Sequence, residues 1–166
     1  REKYNLGQQL KKITDRVGVY LIVNDDVDLA VVLEADGVHL GADDLPISAA
    51  RQLVGPEKII GLSTSNLKEV RAAKEQGADY LGVRAVYQTT SKEVKDRRRR
   101  IGIERLREVS SQVKIPITAI GGINQGNVGE VIKAGADSVA VISALTQAED
   151  VKQKAVSLKK IIADAK

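Results

Sequence analysis

The sequence predicts a single α/β domain over residues 1–166, in which buried parallel strands alternate with amphipathic helices. The first observation is composition: 43% of the residues are hydrophobic, yet Phe, Trp, Met and Cys are absent. The core must therefore consist mainly of Val, Ile, Leu and Ala, which is typical of strands covered on both faces. The second is a regular alternation of short aliphatic runs with longer stretches of helical apolar spacing.

Six aliphatic runs have the length of strands, and each is followed by polar or small residues. They span residues 19–23, 37–40, 59–62, 80–86, 117–120 and 138–142. Five intervening stretches have apolar side chains at helical spacing, which predicts helices over residues 46–53, 66–76, 103–113, 127–134 and 148–165. Asn66 is a suitable N-terminal cap for the second of these helices, and Gly77 and Gly135 are typical helix stops.

One phrase recurs before three of the predicted strands. It is EADGVHL at 34–40, QGADYLGV at 76–83 and KAGADSVAV at 133–141. Each copy contains a helix end, a glycine or acidic turn, an Ala-Asp pair and a strand. The uneven spacing of the copies indicates a shared architectural device and argues against a solenoid repeat.

Strict alternation of strands and helices leaves two architectures, an open doubly wound sheet or a closed TIM (β/α)8 barrel. Polar side chains follow nearly every predicted strand, as in a barrel, whereas an open sheet concentrates its site at one crevice. We therefore expect a barrel. In barrels, the loops after the last strands often bind phosphate, and Gly121-Gly122 together with the run VIS at 141–143 suits such a loop. The alternative is that Gly121-Gly122 is only a tight turn.

Charge and composition exclude several classes of function. Without cysteine, the chain has neither disulfides nor thiolate chemistry. No apolar stretch is long enough for a membrane span or resembles a signal peptide, so we expect a cytoplasmic protein. The net charge of +4 fits small anionic ligands as well as nucleic acid. The basic run EVKDRRRR at 93–100 lacks interleaved aromatic residues, so we expect no nucleic acid and no membrane partner.

Eight segments, in order, resemble the thiamine-phosphate synthase family. They are REK at 1–3, IVNDDVDLA at 22–30, ADGVHLGADDLP at 35–46, IIGLST at 59–64, GADYLGV at 77–83, VYQTTSK at 86–92, IPITAIGGIN at 115–124 and GADSVAVISAL at 135–145. The resemblance implies a (β/α)8 barrel and a transferase of thiamine biosynthesis. It would condense 4-amino-2-methyl-5-hydroxymethylpyrimidine diphosphate with 4-methyl-5-(2-phosphoethyl)thiazole, giving thiamine phosphate and pyrophosphate by a dissociative route.

Asp25 and Asp44 each follow a predicted strand, and two carboxylates directed at one cavity require a cation between them. Mg²⁺ prefers such hard oxygen ligands, usually one or two carboxylates with waters and phosphate oxygens. The resemblance implies the same metal role for both residues. The alternative is that each aspartate caps the next helix. Asp26 and Asp43 are neighbouring candidates for the same role.

The resemblance also implies the residues that contact the substrates. Lys92, Ser63 and Asn24 are the expected catalytic residues, and Arg1 and Lys3 add cationic donors to the diphosphate. The side of the thiazole phosphate is expected to involve Thr89, Ser91, Gly122, Val141, Ile142 and Ser143. His39, the single histidine, is expected to be a packed, hydrogen-bonded strand residue. Residues 93–100 are expected to form a basic lid over the diphosphate or a solvated loop.

Two departures from the family pattern leave alternatives open. Arg84 stands where the family usually has glycine, facing the pyrimidine pocket. The chain also begins at the REK motif, so the first one to two strand units of the barrel are expected to be missing from it. They could belong to residues outside this sequence, another copy could cover the gap in a homo-oligomer, or the form could be truncated. The alternative functions are a thiazole tautomerase-like enzyme without metal and a non-catalytic phosphate-binding or regulatory barrel.

Overall fold

The computed structural model describes residues 1–88 and 102–166. Within them the helices are α1 (Glu2–Val17), α2 (Val27–Val32), α3 (Ile47–Val54), α4 (Leu67–Glu75), α5 (Gly102–Gln112), α6 (Val128–Lys133), α7 (Ser143–Thr146) and α8 (Val151–Ala165). The strands are β1 (Ile22–Asn24), β2 (Gly37–Leu40), β3 (Ile59–Thr64), β4 (Tyr80–Arg84), β5 (Ile117–Ile120) and β6 (Ser138–Ala140). In these residues no helix has the length and apolar character that a membrane crossing requires.

The described chain divides into two compact units. The first contains residues Arg1–Ser63 and Ala73–Asp79, and the second contains Thr64–Ala72 and Tyr80–Lys166. In the first unit, β1, β2 and β3 are neighbours in that order and run parallel, with Asn24 opposite His39 and Leu40 opposite Leu62. In the second unit, β4, β5 and β6 do the same. The predicted parallel α/β architecture is thereby confirmed, and the closed eight-stranded barrel stays a prediction.

Aliphatic side chains fill the interior of each unit, as the composition predicts. In the first unit Val38, Leu40 and Ile60 are fully buried, and in the second Leu81 and Val83 are. Gly37 and Gly82, which alternate with these aliphatic residues along β2 and β4, are buried as well, so both faces of the two strands are covered.

The boundaries of the elements differ from the sequence prediction at several places. The prediction of a strand over 19–23 was shifted, because β1 covers Ile22–Asn24 while Val19 and Tyr20 are exposed. The helices α1, α2 and α7 were not predicted. Of these, α2 and α7 contain only six and four residues, too few for a helical apolar period to be recognised in the sequence.

The recurrent Ala-Asp phrase forms the same structure three times. The residue two positions before each aspartate is left-handed, with φ of 50° at Glu34, 85° at Gly77 and 100° at Gly135. Glycine adopts this conformation without steric cost, which accounts for two of the three positions. The alanine that follows is buried each time, at positions 35, 78 and 136. The chain thus leaves each helix through one turn geometry before it enters β2, β4 or β6.

Each aspartate of the phrase then makes the same two hydrogen bonds to the backbone of one residue that lies 15 to 20 positions earlier. Asp137 donates its backbone N–H to the Ile117 carbonyl at 2.9 Å, and its Oδ2 accepts the Ile117 N–H at 2.8 Å. Asp36 makes the same two bonds to Leu21, at 3.0 and 2.7 Å. Asp79 makes them to Ile60, at 2.8 and 2.7 Å. We call this two-bond pairing the strand latch.

The latches supply hydrogen-bond partners to backbone groups that have none in the pairing of the parallel strands. A buried N–H without a partner costs free energy comparable to a lost hydrogen bond, and Ile117 is buried. Asp79 additionally pairs with Arg51 at 2.7 Å, and the same guanidinium donates to the carbonyl oxygens of Gly55 and Pro56, each at 3.3 Å. The latch of the second unit, at Asp137, is simpler and is therefore the better one to test.

Replacing Asp137 with alanine removes the side-chain half of its latch and leaves the Ile117 N–H unpaired. We expect the free energy of unfolding to fall by about 1–3 kcal/mol, measured by chemical denaturation. Asp137→Asn retains an oxygen that accepts the bond, so its loss should be clearly smaller. Asp164→Ala, an exposed position on α8, is the surface control. Equal stability of the alanine variant and the parent would contradict the role of the latch.

Candidate active site

In the first unit the predicted site residues meet at the carboxyl ends of three neighbouring parallel strands. Asn24 ends β1 and Asp25 follows it, Asp44 lies in the turn after β2, and Ser63 is in the last part of β3. Parallel strands bring such ends to one edge of the sheet. The polar residues that the sequence singled out in this unit therefore share one edge, which we call the first-unit edge.

Asp25 has an unusual backbone conformation. Its φ is 67°, in the left-handed region that residues other than glycine rarely adopt. Its N–H donates to the His39 carbonyl oxygen at 2.8 Å, so the residue stays tied to the end of β2. The side chain is exposed at the first-unit edge. Asp26, and not Asp25, occupies the N-cap position of α2.

Asp44 holds the turn that follows β2. Its Oδ2 accepts a hydrogen bond from the Gly41 N–H at 2.6 Å, and its own N–H lies 3.4 Å from the Gly41 carbonyl oxygen. The N-cap of α3 is Pro46, so Asp44 does not cap that helix. Helix capping therefore explains neither Asp25 nor Asp44, although Asp44 does have a turn role that the sequence did not indicate. A carboxylate has lone pairs to accept further partners beside this one bond.

Lys3 has a partner at this edge that the sequence reasoning missed. Its Nζ lies 2.7 Å from Asp26 Oδ2, with 78% of the lysine side chain exposed. The hydrogen bond and charge of Asp26 raise the pKa of Lys3, and the charges of Asp25 and Asp28 contribute in the same direction. The ammonium group therefore stands in a field of three carboxylates. Arg1 immediately precedes α1, which carries Lys3.

His39 and Ser63 form a pair across β2 and β3. The His39 Nε2 lies 3.0 Å from the Ser63 Oγ, and both residues are half-buried. The direction of this bond depends on the tautomer of the imidazole. The expectation that His39 is a hydrogen-bonded strand residue is confirmed. The bond also fixes the rotamer of the Ser63 hydroxyl, one of the expected substrate contacts.

In the second unit, residues 121–127 form the glycine turn after β5. The φ angles of Gly121 and Gly122 are 104° and 65°, both left-handed. A Cβ on Gly122 would lie 2.4 Å from the Gln88 carbonyl oxygen and 2.8 Å from the Tyr87 Cβ. Both the conformation and the close approach of the chain after β4 therefore require glycine at position 122.

Two asparagines close this turn. The Asn127 Oδ1 accepts the Asn124 N–H at 2.8 Å, and the Asn127 Nδ2 donates to the Gly122 carbonyl at 3.0 Å. The Asn124 Oδ1 accepts the Gly126 N–H at 2.8 Å. From the sequence, Asn127 was expected at the start of a predicted helix and not as part of the turn, although its spacing of three residues from Asn124 is the signal that would have indicated the turn.

Val141 and Ile142 follow β6, and Ser143 is the first residue of α7. Because Ile120 is paired with Ala140, these residues lie at the same sheet edge as the glycine turn. A cleft of about 530 Å³ begins there, with Ser143, Gln125 and Lys154 among its lining residues. The second-unit residues that the sequence assigned to the thiazole phosphate thus share one edge.

Three expected site residues, Thr89, Ser91 and Lys92, lie outside the described residues, as does the basic run 93–100. Arg84 is half-buried at the end of β4, opposite Ile120. Among residues 1–88 and 102–166 no cluster of three or more His, Asp or Glu side chains could by itself hold a metal ion.

The steric requirement at Gly122 can be separated from the backbone requirement. Gly122→Ala introduces a left-handed alanine and a contact under 3 Å with the chain at residues 87–88. Gly18 has nearly the same φ, 66°, with no atom within 4 Å of a Cβ. We expect Gly18→Ala to lower the free energy of unfolding by about 1–2 kcal/mol. Gly122→Ala should cost clearly more in thermal or chemical unfolding, and equal losses would contradict the close approach.

The chain is similar in sequence to known proteins over nearly its whole length. A family profile described as thiamine monophosphate synthase matches residues 1–145. A thiamine-phosphate synthase from Natronomonas pharaonis is 48% identical over 150 residues, which cover 90% of this chain and 70% of the relative. One from Moorella thermoacetica is 47% identical over 166 residues, 100% of this chain and 78% of the relative.

A solved structure has the same fold. The thiamine phosphate pyrophosphorylase from Pyrococcus furiosus superposes with a TM-score of 0.90 at 43% identity, covering 99% of this chain and 78% of that one. The resemblance inferred from eight segments is therefore confirmed over the length of the chain. On the profile match and these identities, the chain belongs to the thiamine-phosphate synthase family of enzymes.

Proposed function

We propose that this thiamine-phosphate synthase family member binds the pyrimidine diphosphate with Mg²⁺ at the first-unit edge and the thiazole phosphate at the glycine turn. The observation that carries the proposal is the arrangement of Asp25, Asp44 and Ser63 at the carboxyl ends of three neighbouring parallel strands. Several polar groups at one edge can bind one charged ligand, whereas scattered groups cannot. The products are thiamine phosphate and pyrophosphate.

The residues present fit Mg²⁺. Asp25 and Asp44 supply two carboxylates, and Mg²⁺ usually takes one or two of these with waters and phosphate oxygens as its other ligands. The missing third acidic or imidazole ligand among the described residues is therefore compatible with this metal. The bond from Gly41 to Asp44 restricts the orientation of that carboxylate before any metal binds. When bound, the cation neutralises charge that accumulates on the diphosphate as it leaves.

Neutral and cationic donors complete the diphosphate site in this proposal. Asn24 supplies an amide and Ser63 a hydroxyl oriented by His39. Arg1, Lys3 and Lys92 supply positive charge. Lys3 lies beside Asp26 in the structure, so its ammonium group would exchange or share that partner when the diphosphate binds. Exposed ion pairs of this kind contribute little free energy, so the exchange costs little.

The proposed reaction requires little covalent chemistry from the protein. The bond between the pyrimidine methylene carbon and the diphosphate oxygen breaks, and its electron pair leaves with the pyrophosphate. The thiazole ring nitrogen then donates its lone pair to the methylene carbon, which forms the new C–N bond. The protein needs no nucleophile for these steps, and fixed donors near the leaving group lower the barrier by stabilising its charge.

The thiazole phosphate is bound by the second unit in this proposal. The glycine turn, Val141 and Ile142 offer backbone N–H groups, and Ser143 offers a hydroxyl. Thr89 and Ser91 are further hydroxyl donors by sequence. Because α6 has only six residues and α7 four, we assign the binding to individual N–H and O–H groups without a contribution from a long helix. Glycine at position 122 lets the chain after β4 pack directly against the turn.

The decisive test is Asp44→Asn. An amide oxygen can still accept the Gly41 N–H and keep the turn, whereas the charge that holds the metal is lost. We expect pyrophosphate release to fall by about 100-fold or more, in line with the loss of a charged group that stabilises the leaving group. Calorimetric titration with the pyrimidine methyl diphosphate should show Mg²⁺-dependent binding to the parent chain and little binding to the variant.

Asp43→Asn is the matched control, because Asp43 is the exposed neighbour of Asp44 in the same turn. It should retain turnover and Mg²⁺-dependent binding. Full pyrophosphate release by Asp44→Asn would remove Asp44 from the metal site. Turnover by the parent that is unchanged in EDTA would overturn the metal dependence as a whole and favour chemistry of the tautomerase type.

A further inference from the structure

Tyr87 contacts the glycine turn and the helix beyond it at three points. Its N–H donates to the Gly121 carbonyl oxygen at 3.0 Å. Its Cβ packs so closely on Gly122 that a Cβ added to this glycine would lie 2.8 Å from it. Its hydroxyl donates to the Glu130 Oε2 on α6 at 2.8 Å. One residue after β4 therefore connects the beginning of the turn with the helix that follows it.

We infer that Tyr87 and Glu130 form a clamp that positions the glycine turn for the phosphate group of the thiazole substrate. This inference rests on the proposed binding of that phosphate at Gly122 and deepens it. Neither residue needs to touch the substrate, so Tyr87 is a positioning residue in this account. The sequence analysis assigned no role to either side chain.

The hydroxyl of Tyr87 is suited to a permanent donor role. Burial, followed by the hydrogen bond and the charge of Glu130, raises the pKa of Tyr87 to about 12, while Arg107 acts in the opposite direction. The phenol therefore keeps its proton throughout the range in which enzymes work. Hydrogen bonds from a hydroxyl to a carboxylate are charge-assisted and stronger than those between neutral groups.

The turn needs an anchor on its far side. The helix α6 has six residues, and a helix of this length has little stability of its own. On the near side, Asn127 and Gly121 already hold the turn through backbone and amide bonds. Glu130 lies in the first turn of α6, so a bond to Tyr87 fixes the orientation of the helix start relative to Gly122.

Binding a phosphate through backbone N–H groups is sensitive to such an orientation. Hydrogen bonds of this kind require donor–acceptor distances of about 2.7–3.2 Å, and they weaken steeply as the angle departs from linear. A small rotation of the turn would therefore affect the thiazole phosphate before it affected the pyrimidine diphosphate. We therefore expect a variant without the Tyr87–Glu130 bond to lose affinity for the thiazole phosphate and to keep its affinity for the pyrimidine diphosphate.

Tyr87→Phe removes the hydroxyl and retains the ring and the Cβ that pack on Gly122. We expect the KM for the thiazole phosphate to rise about threefold to tenfold, the loss expected for one hydrogen bond. The kcat and the KM for the pyrimidine diphosphate should stay within about twofold of the parent, since only the binding of the thiazole phosphate is weakened. Calorimetric titration with the thiazole phosphate alone should show the same weakening without turnover.

Two variants at Glu130 distinguish the effect of losing the hydrogen bond to Tyr87 from the effect of changing the side chain. Glu130→Ala should reproduce the Tyr87→Phe effect, whereas Glu130→Gln offers an acceptor oxygen and should restore most of the affinity. Tyr20→Phe, at a side chain that is 72% exposed, is the matched control for loss of a phenol hydroxyl and should leave both KM values unchanged.

Two results would overturn the clamp. One is a Tyr87→Phe variant with the parent's affinity for the thiazole phosphate. The other is a variant in which both KM values and kcat worsen together, as a general folding defect would cause. Absence of turnover in the parent chain under every condition would instead contradict the proposed function, so the two failures are distinguishable.

Discussion

The pairing of an aspartate before one strand with a backbone amide at the start of the previous strand underlies the rest of the structure. It recurs at Asp36, Asp79 and Asp137, always with the same two bonds. At Asp36 and Asp137 it fixes the amino ends of neighbouring parallel strands within one unit. Because the side chains at the opposite, carboxyl ends are then free of any structural duty in the latch, those ends can carry polar residues chosen for a ligand.

The first-unit edge and the glycine turn differ in the charge of their side chains. The first-unit edge gathers carboxylates and Lys3, so its field is strongly charged and calls for a counter-ion or a highly charged ligand. The glycine turn contains no charged side chain, since residues 121–127 are Gly, Gly, Ile, Asn, Gln, Gly and Asn. It therefore binds, in our account, through directional backbone donors, which favour a single small anion over a metal complex. In the proposed function, each half of the reaction thus has an environment matched to its substrate.

Strand–helix alternation, the six strands and the Ala-Asp phrase were predicted from the sequence because each has a short-range signal. Apolar runs of four to seven residues are visible in the chain, and so is Asn66, whose Oδ1 accepts the Glu69 N–H at 3.0 Å as a cap. The contacts of Asp44 with Gly41 and of Lys3 with Asp26 were not predictable in this way. They depend on loop geometry, and Lys3 and Asp26 are separated by 23 residues. The bond between Tyr87 and Glu130, 43 residues apart, is the extreme case.

The strand latches also bear on how the chain reaches its fold. They join residues separated by only 15, 19 and 20 positions, which is one strand, one helix and one turn each time. Closing loops of this size costs less chain entropy than bringing together segments that are far apart in the sequence. Each strand–helix–strand segment can therefore close on itself during synthesis, before the later segments leave the ribosome. The latch would then favour the correct strand register, since a shift by one residue would leave the aspartate without its amide partner.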